Sequence, residues 1–103
     1  MSDDQRVLDA VYSAVDEANL LLPSGKQMKK APGVALRGDS SPLDSLGLVN
    51  LLLAVERQVE GRFGAVITLF DERVFSNPNA TLKDIRTLAG YVRLLLAEKQ
   101  KVS

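Results

Sequence analysis

Residues 46–60 hold the feature that most narrows the fold. Placed on a helical wheel at about 100° per residue, Leu48, Val49, Leu51, Leu52, Leu53, Val55 and Val59 spread over more than half of the circumference. A helix on the surface of a globular protein shows a narrower apolar stripe. A helix this apolar needs cover on more than one side. No stretch of the chain has the strand alternation needed to build a sheet, so the cover has to come from other helices. The expectation is an all-α fold, a small four-helix bundle with three main helices and one short third helix, and a long loop between the first two. The surplus apolar surface has two compatible explanations. The helix is central in the bundle, or its N-terminal half also meets a partner or lines an apolar ligand cavity.

The neighbouring segments fit this frame. Residues 3–21 read as a helix in which Val7, Leu8, Val11, Ala14, Val15 and Ala18 recur at helical spacing, with Ser2 and Gln5 as a capping box. Pro23, Ser24 and Gly25 end it. Residues 23–42 then form a loop punctuated by Pro32, Gly33, Gly38 and Pro42, and Val34, Ala35 and Leu36 are expected to pin it to the core. Loops of this length in small domains are uncommon and usually functional. The second helix is expected over about 44–60, preceded by Asp39, Ser40, Ser41, Pro42 and Asp44 and stopped by Gly61 and Gly64. Residues 65–70 read as an extended connector burying Ile67 and Phe70, and 71–76 as the short third helix. Asn77-Pro78-Asn79 is a turn. Thr81 with Asp84 marks the start of the last helix, expected to run to Glu98 with Leu82, Ile85, Leu88, Ala89, Val92 and Leu95 or Leu96 inward. With 103 residues the chain reads as a single domain, 1–103, with an ordered core over about 3–98.

Composition removes whole classes of chemistry. The chain has no Cys and no His. A thiolate nucleophile, a disulfide framework, a Ser-His-Asp triad and an ordinary zinc site are therefore excluded. Thirteen Lys and Arg balance thirteen Asp and Glu, which gives no support to general nucleic-acid binding. The longest apolar runs are a few residues, whereas a membrane span needs about 20. The N-terminus, MSDDQRVLDA, lacks the basic and apolar regions of a signal peptide, so a cytoplasmic location is expected, and a monomer. The zero net charge is segmental. Residues 1–22 are acidic, 23–38 carry Lys26, Lys29, Lys30 and Arg37 without an acid, and 61–103 are again net basic. Such a pattern suits a protein that docks with one face.

Ser45 stands at the first turn of the apolar helix, directly after the long loop. Its hydroxyl lies where a helix projects unpaired N–H groups, a position that favours an attached or bound phosphate. A serine there can equally be a plain cap, like Asp44 or Ser41. The stretch SPLDSLGLVNLLLAVERQV, residues 41–59, resembles the modification site and second helix of acyl carrier proteins, in which Asp-Ser-Leu opens the helix. The likeness continues through FDERVF and TLKDIRTLAGYV, with Glu56 eleven residues after Ser45, and covers most of the chain.

The resemblance implies that Ser45 carries 4′-phosphopantetheine, with Asp44 and Leu46 framing it for a phosphopantetheinyl transferase. It implies a carrier that is not itself an enzyme. Its arm thiol holds an acyl group as a thioester and presents it to acyl-loading and acyl-using enzymes of fatty acid or secondary metabolite biosynthesis. Leu46, Leu48, Val49, Leu53 and Glu56 are the residues expected near the arm, the acyl chain or a partner, with Leu53 the one among them most easily explained as core. Typical members of the family are strongly acidic on the second helix. Here the outer face of that helix is expected to carry Gly47, Asn50, Arg57 and Gln58, and the first loop is basic. That departure fits a specialised carrier serving a dedicated cluster, either acyl or aminoacyl and peptidyl. The reading from another class is an unmodified helical adaptor that binds through the second helix, with Leu48 and Leu51 at its contact.

Other signals are weaker. Gly38-Asp39-Ser40 and the Asp-Ser-Leu tripeptide are reminiscent of esterases that need a His base, and none is present. Gly25-Lys26 lacks the upstream glycine of a phosphate-binding loop. Gly61 to Gly64 matches a G-x-x-G spacing without the sheet that an RNA-binding module of that type requires.

Overall fold

The apolar periodicity of the first segment produces α1, Asp3–Asn19. The computed structural model describes residues 3–38, 41, 43–77 and 81–101, of which 3, 26, 100 and 101 as backbone only. After α1 come a single 3-10 turn at Ser24–Lys26, α2 at Ser45–Phe63, a short α3 at Glu72–Ser76 and α4 at Ile85–Lys101. Among the described residues there is no strand, so the expected all-α bundle with a short third helix is what forms. None of the described helices is long and apolar enough to cross a membrane. The expected cap at Ser2, the loop positions Asp39, Ser40 and Pro42, and the turn at Pro78 and Asn79 lie outside the described residues.

α1 buries Val7, Ala10, Val11, Ala14, Val15 and Ala18, which is the expected stripe with Ala10 added and Leu8 at its margin. Three of these are alanines, and their short side chains let neighbouring backbones come close. α1 is accordingly the helix that both α2 and α4 approach most closely. That corrects the expectation that the second helix is the central one. Polar side chains hold the α1–α2 seam at its edge. Glu17 accepts from Arg57 at 3.0 Å and from Gln58 at 2.7 Å, and Arg62 donates to Ser13 Oγ at 2.6 Å. The Gln58 bond outweighs burial and, with Arg57, holds the Glu17 carboxyl below the usual range. α1 ends at Asn19 rather than residue 21. Leu20, Leu21 and Leu22 tighten the last turn with i to i−3 bonds onto Glu17, Ala18 and Asn19.

The long loop is tied down at two places. Asn19 accepts from the Met28 N–H at 2.8 Å and donates to its carbonyl at 3.0 Å, and Met28 is buried. Further on, Ala35 and Asp84 form an isolated antiparallel bridge. Leu36 N–H bonds the Lys83 carbonyl at 3.1 Å, Ile85 N–H the Val34 carbonyl at 3.1 Å, and Arg86 N–H the Pro32 carbonyl at 2.9 Å. Leu36 is wholly buried, while Val34 and Ala35 are half-buried, so Leu36 is the anchor among the three expected.

The remaining boundaries differ from the sequence expectations for identifiable reasons. α2 runs through Gly61 and stops at Gly64, whose φ of 65° lies in the left-handed region and whose N–H bonds the Glu60 carbonyl. Gly61 keeps helical geometry, so it is no stop. In the connector Ile67 and Leu69 are buried and Phe70 is 37% exposed. The chain is extended there, and period-two alternation sends 67 and 69 inward, not 67 and 70. Phe70 instead meets Phe75 of α3, ring centroids 6.3 Å apart. Thr81 does not start α4. Its hydroxyl donates to the Val74 and Asn77 carbonyls. Asp84 is the cap: its carboxylate accepts from the Thr87 N–H at 2.8 Å, and Thr87 Oγ1 accepts from the Asp84 N–H at 2.9 Å. α4 then buries Ile85, Leu88, Tyr91, Val92 and both Leu95 and Leu96, with Ala89 half-buried, and extends past Glu98 to Lys101.

Two stability predictions follow from this packing. Leu51 and Leu52 of α2 are wholly buried, whereas Val49 on the same helix is 38% exposed. Leu51→Ala or Leu52→Ala is expected to cost about 2–5 kcal/mol in chemical denaturation, and Val49→Ala under about 1 kcal/mol; equal losses would contradict the assigned faces. Burial alone would raise the Asp84 carboxyl, but its Thr87 bonds and the nearby Lys83 and Arg86 hold it below the usual range. A lowered folded value means the cap stabilises above the unfolded value of about 3.9 and loses this contribution as pH falls through the folded value. Urea midpoints of the wild type are therefore expected to fall more steeply with acid than those of Asp84→Asn, and parallel slopes would contradict the capping role.

Candidate functional site

The loop that ends at residue 43 delivers the chain to α2 through two successive side-chain caps. Ser41 Oγ accepts from the Leu43 N–H at 3.1 Å, and Asp44, with extended backbone, accepts from the Gly47 N–H at 2.7 Å. Asp44 is therefore the N-cap and Ser45 the first helical residue. This separates the two readings of Ser45 left open by the sequence. The capping bond belongs to its neighbour, and Ser45 is exposed, with its hydroxyl not taken up by the cap.

Gly47 is buried in this arrangement, not on the outer face. A Cβ there would meet Asp44 Oδ1 and Leu43 Cδ2, each at 3.2 Å. The start of α2 is thus folded tightly around residue 47, which leaves residues 45 and 46 outward. Leu46 is 67% exposed and Leu53 39%, with Val49 between them. These three recur at i, i+3 and i+7, so they form one continuous apolar stripe beginning beside Ser45. Leu53, expected to be the most core-like of the set, is as open as Val49. The remaining expected outer residues divide. Arg57 is exposed but paired to Glu17, while Asn50 and Gln58 are half-buried. Leu51, considered as a contact residue for an adaptor, is wholly buried and offers no surface.

On the other side of Ser45 a groove of about 520 Å³ opens. The loop supplies Leu36, Arg37 and Gly38; the start of α2 supplies Leu43, Asp44, Ser45 and Leu48; Phe75 comes from α3, and Leu82 from the segment before α4. Leu36 and Leu82 are buried and form an apolar floor, while Phe75 is half-exposed. Leu48 faces this groove and packs on the core, so it belongs to the groove wall and not to the outer stripe. Gly38, at the rim, has a φ of 86°, in the left-handed region. Groups of three or more potential metal ligands are absent among the described residues.

Glu56 is half-buried on α2. Its carboxylate accepts from the Leu69 N–H at 2.7 Å and pairs with no base among the described residues. The connector after α2 runs alongside the helix without strand partners, and Glu56 satisfies one of its backbone donors. Of the sequence-derived residues, the structure brings Asp44, Ser45 and Leu48 to the groove and places Leu46, Val49 and Leu53 beside it. Leu36, Arg37, Phe75 and Leu82 complete the groove and were not singled out for it. Their contribution depends on how the loop and α3 fold back over α2, which no local pattern encodes.

No protein-family model matches the chain, and no curated protein or solved structure matches it either. Removal of the capping carboxylate should be felt locally. Asp44→Ala is expected to destabilise by about 1 kcal/mol and to raise amide exchange at residues 45–47 while α1 and α4 stay protected. Unchanged exchange there would show that another group caps α2.

Proposed function

We propose that this chain is an acyl carrier protein, with Ser45 as the residue to which a phosphopantetheinyl transferase attaches 4′-phosphopantetheine from coenzyme A. The observation that carries the reading is the position of Ser45. It is exposed, it heads a long helix whose cap is made by another residue, and it lies between an apolar stripe and a groove lined by both polar and apolar residues. The arm supplies the thiol on which an acyl group rides as a thioester, which a chain without Cys cannot supply itself.

In this reading each neighbour has a stated task. Asp44 fixes the first turn so that the Ser45 hydroxyl projects from a rigid end, and Leu46 frames it. Leu36, Leu48, Phe75 and Leu82 give an apolar chain somewhere to lie out of water. Leu46, Val49 and Leu53 are the surface that a loading or consuming enzyme meets first. The chain holds and presents the group and performs no reaction, as a monomer in the cytoplasm. The outer arc of α2 carries leucine and valine where the family carries acids, which favours a specialised carrier of a dedicated fatty acid or secondary metabolite pathway. An aminoacyl or peptidyl cargo is a variant of the same reading.

Incubation of the recombinant protein with coenzyme A and a promiscuous phosphopantetheinyl transferase is expected to add one arm to the intact mass. Ser45→Ala is expected to gain nothing. No gain with several transferases, or a gain that persists in Ser45→Ala, would overturn the assignment. The first of these results would leave the exposed Leu46, Val49 and Leu53 stripe as the contact surface of an unmodified helical adaptor.

A further inference from the structure

A second groove, of about 270 Å³, lies between α1 and α4 and shares no lining residue with the Ser45 groove. Its α4 side is one helical face, because residues 86, 89, 90 and 93 recur at i, i+3, i+4 and i+7. Ala89 and Gly90 stand between the two arginines, and a Cβ on Gly90 would meet nothing within 4 Å, so the space above that turn is open. Val7, which is buried, and Leu8 of α1 line the opposite side. The Arg86 N–H bonds the Pro32 carbonyl at 2.9 Å, which draws the loop over one end. Asp4 pairs with Arg93 at 2.7 Å at the other end, two helical turns or about 10 Å along the axis from Arg86. The charges of the groove do not balance. Arg93 is neutralised by Asp4, whereas the Arg86 guanidinium is exposed and makes no hydrogen bond or ion pair among the described residues. Asp84, the acid that feels its charge, has its carboxylate engaged by Thr87. The lining thus carries one net positive charge, two arginines against one aspartate, beside apolar walls.

We propose that this groove binds a small organic monocarboxylate, with the carboxylate on Arg86 and the apolar body over Ala89 and Gly90. A guanidinium fork matches a carboxylate bidentately. One open guanidinium, with a neutral ion pair at the far end, matches a single negative charge. A second carboxylate on the ligand would have to displace Asp4 from Arg93. Val7, Leu8 and Pro32 give the apolar body cover from water. Small-molecule pockets combine apolar walls with a few placed polar groups, at about 300–1,000 Å³. A groove at the lower edge of that range, with its charged ends about 10 Å apart, suits a short ligand. The site stands whether or not Ser45 carries an arm.

The test is a titration of the ¹⁵N-labelled full chain with sodium hexanoate, read as amide shifts, with hexan-1-ol as the neutral control. Saturable shifts are expected at Val7, Leu8, Arg86, Ala89, Gly90 and Arg93 and not around the Ser45 groove at residues 43–48. Arg86→Gln is expected to raise the Kd roughly tenfold, the loss of one good charged contact. Gly90→Leu is expected to fill the open space and abolish binding. Leucine favours a helix more than glycine does, so an unchanged or raised Tm certifies the fold of that variant. Lys99→Gln, a base elsewhere on α4, leaves the Kd unchanged. Absence of saturable shifts, equally tight binding of hexan-1-ol, an unchanged Kd in Arg86→Gln or Gly90→Leu, or shifts centred on residues 43–48 would overturn the proposal.

Discussion

The antiparallel contact between residues 32–36 and 83–86 is the constraint on which the rest of the site depends. A loop of this length has many conformations, and ordering it costs on the order of 1–2 kcal/mol per residue in backbone entropy. Three backbone hydrogen bonds and the burial of Leu36 offset part of that cost and fix the loop against the start of α4. The same contact positions Leu36 and Arg37 as one wall of the groove opposite Ser45. Without it the start of α2 would face open solvent on both sides.

α2 shows how a very apolar helix serves two surfaces. Its inner arc, Gly47, Leu51, Leu52, Ala54, Val55 and Val59, is buried. Its outer arc leaves Leu46 mostly exposed and Val49 and Leu53 partly exposed, so it gives less to the stability of the isolated chain than the inner arc does. Three apolar residues left in one row next to a capped helix start are a feature that packing alone does not require. Glu56 and Asp44 both act on backbone N–H groups, one fastening the connector and one the first turn. The acids of this helix thus serve its geometry, and Glu60 is left for the solvent.

Much of the architecture was legible in the residues. The stripes of α1 and α4 follow helical periodicity closely, because each buries a single face. The chemistry of the loop end was legible too, down to Asp44 as a capping residue and Ser45 beside it. The direction of α2 was not. A wheel reports how widely apolar residues spread and not which arc faces the core. Gly47 and Ala54 look like members of a polar arc and are buried, Gly47 under Leu43 and Asp44. Val49 and Leu53 look like core and are not. Thr81 and Asp84 both carry capping chemistry, and only the Thr87 hydroxyl completing the pair with Asp84 decides between them. The groove was illegible for a simpler reason: its walls come from four separate segments.

The zero net charge gains a spatial meaning from the fold. Most arginines are neutralised or stacked across helix seams. The α2 face beside Ser45 is apolar instead of acidic. The central claim, an arm on Ser45, is tested most directly by the intact and peptide masses of the protein purified from its own host. The account predicts a population bearing one phosphopantetheine, free or acylated, on the peptide that contains Ser45. A uniformly unmodified chain, or an arm on any other serine, would contradict it.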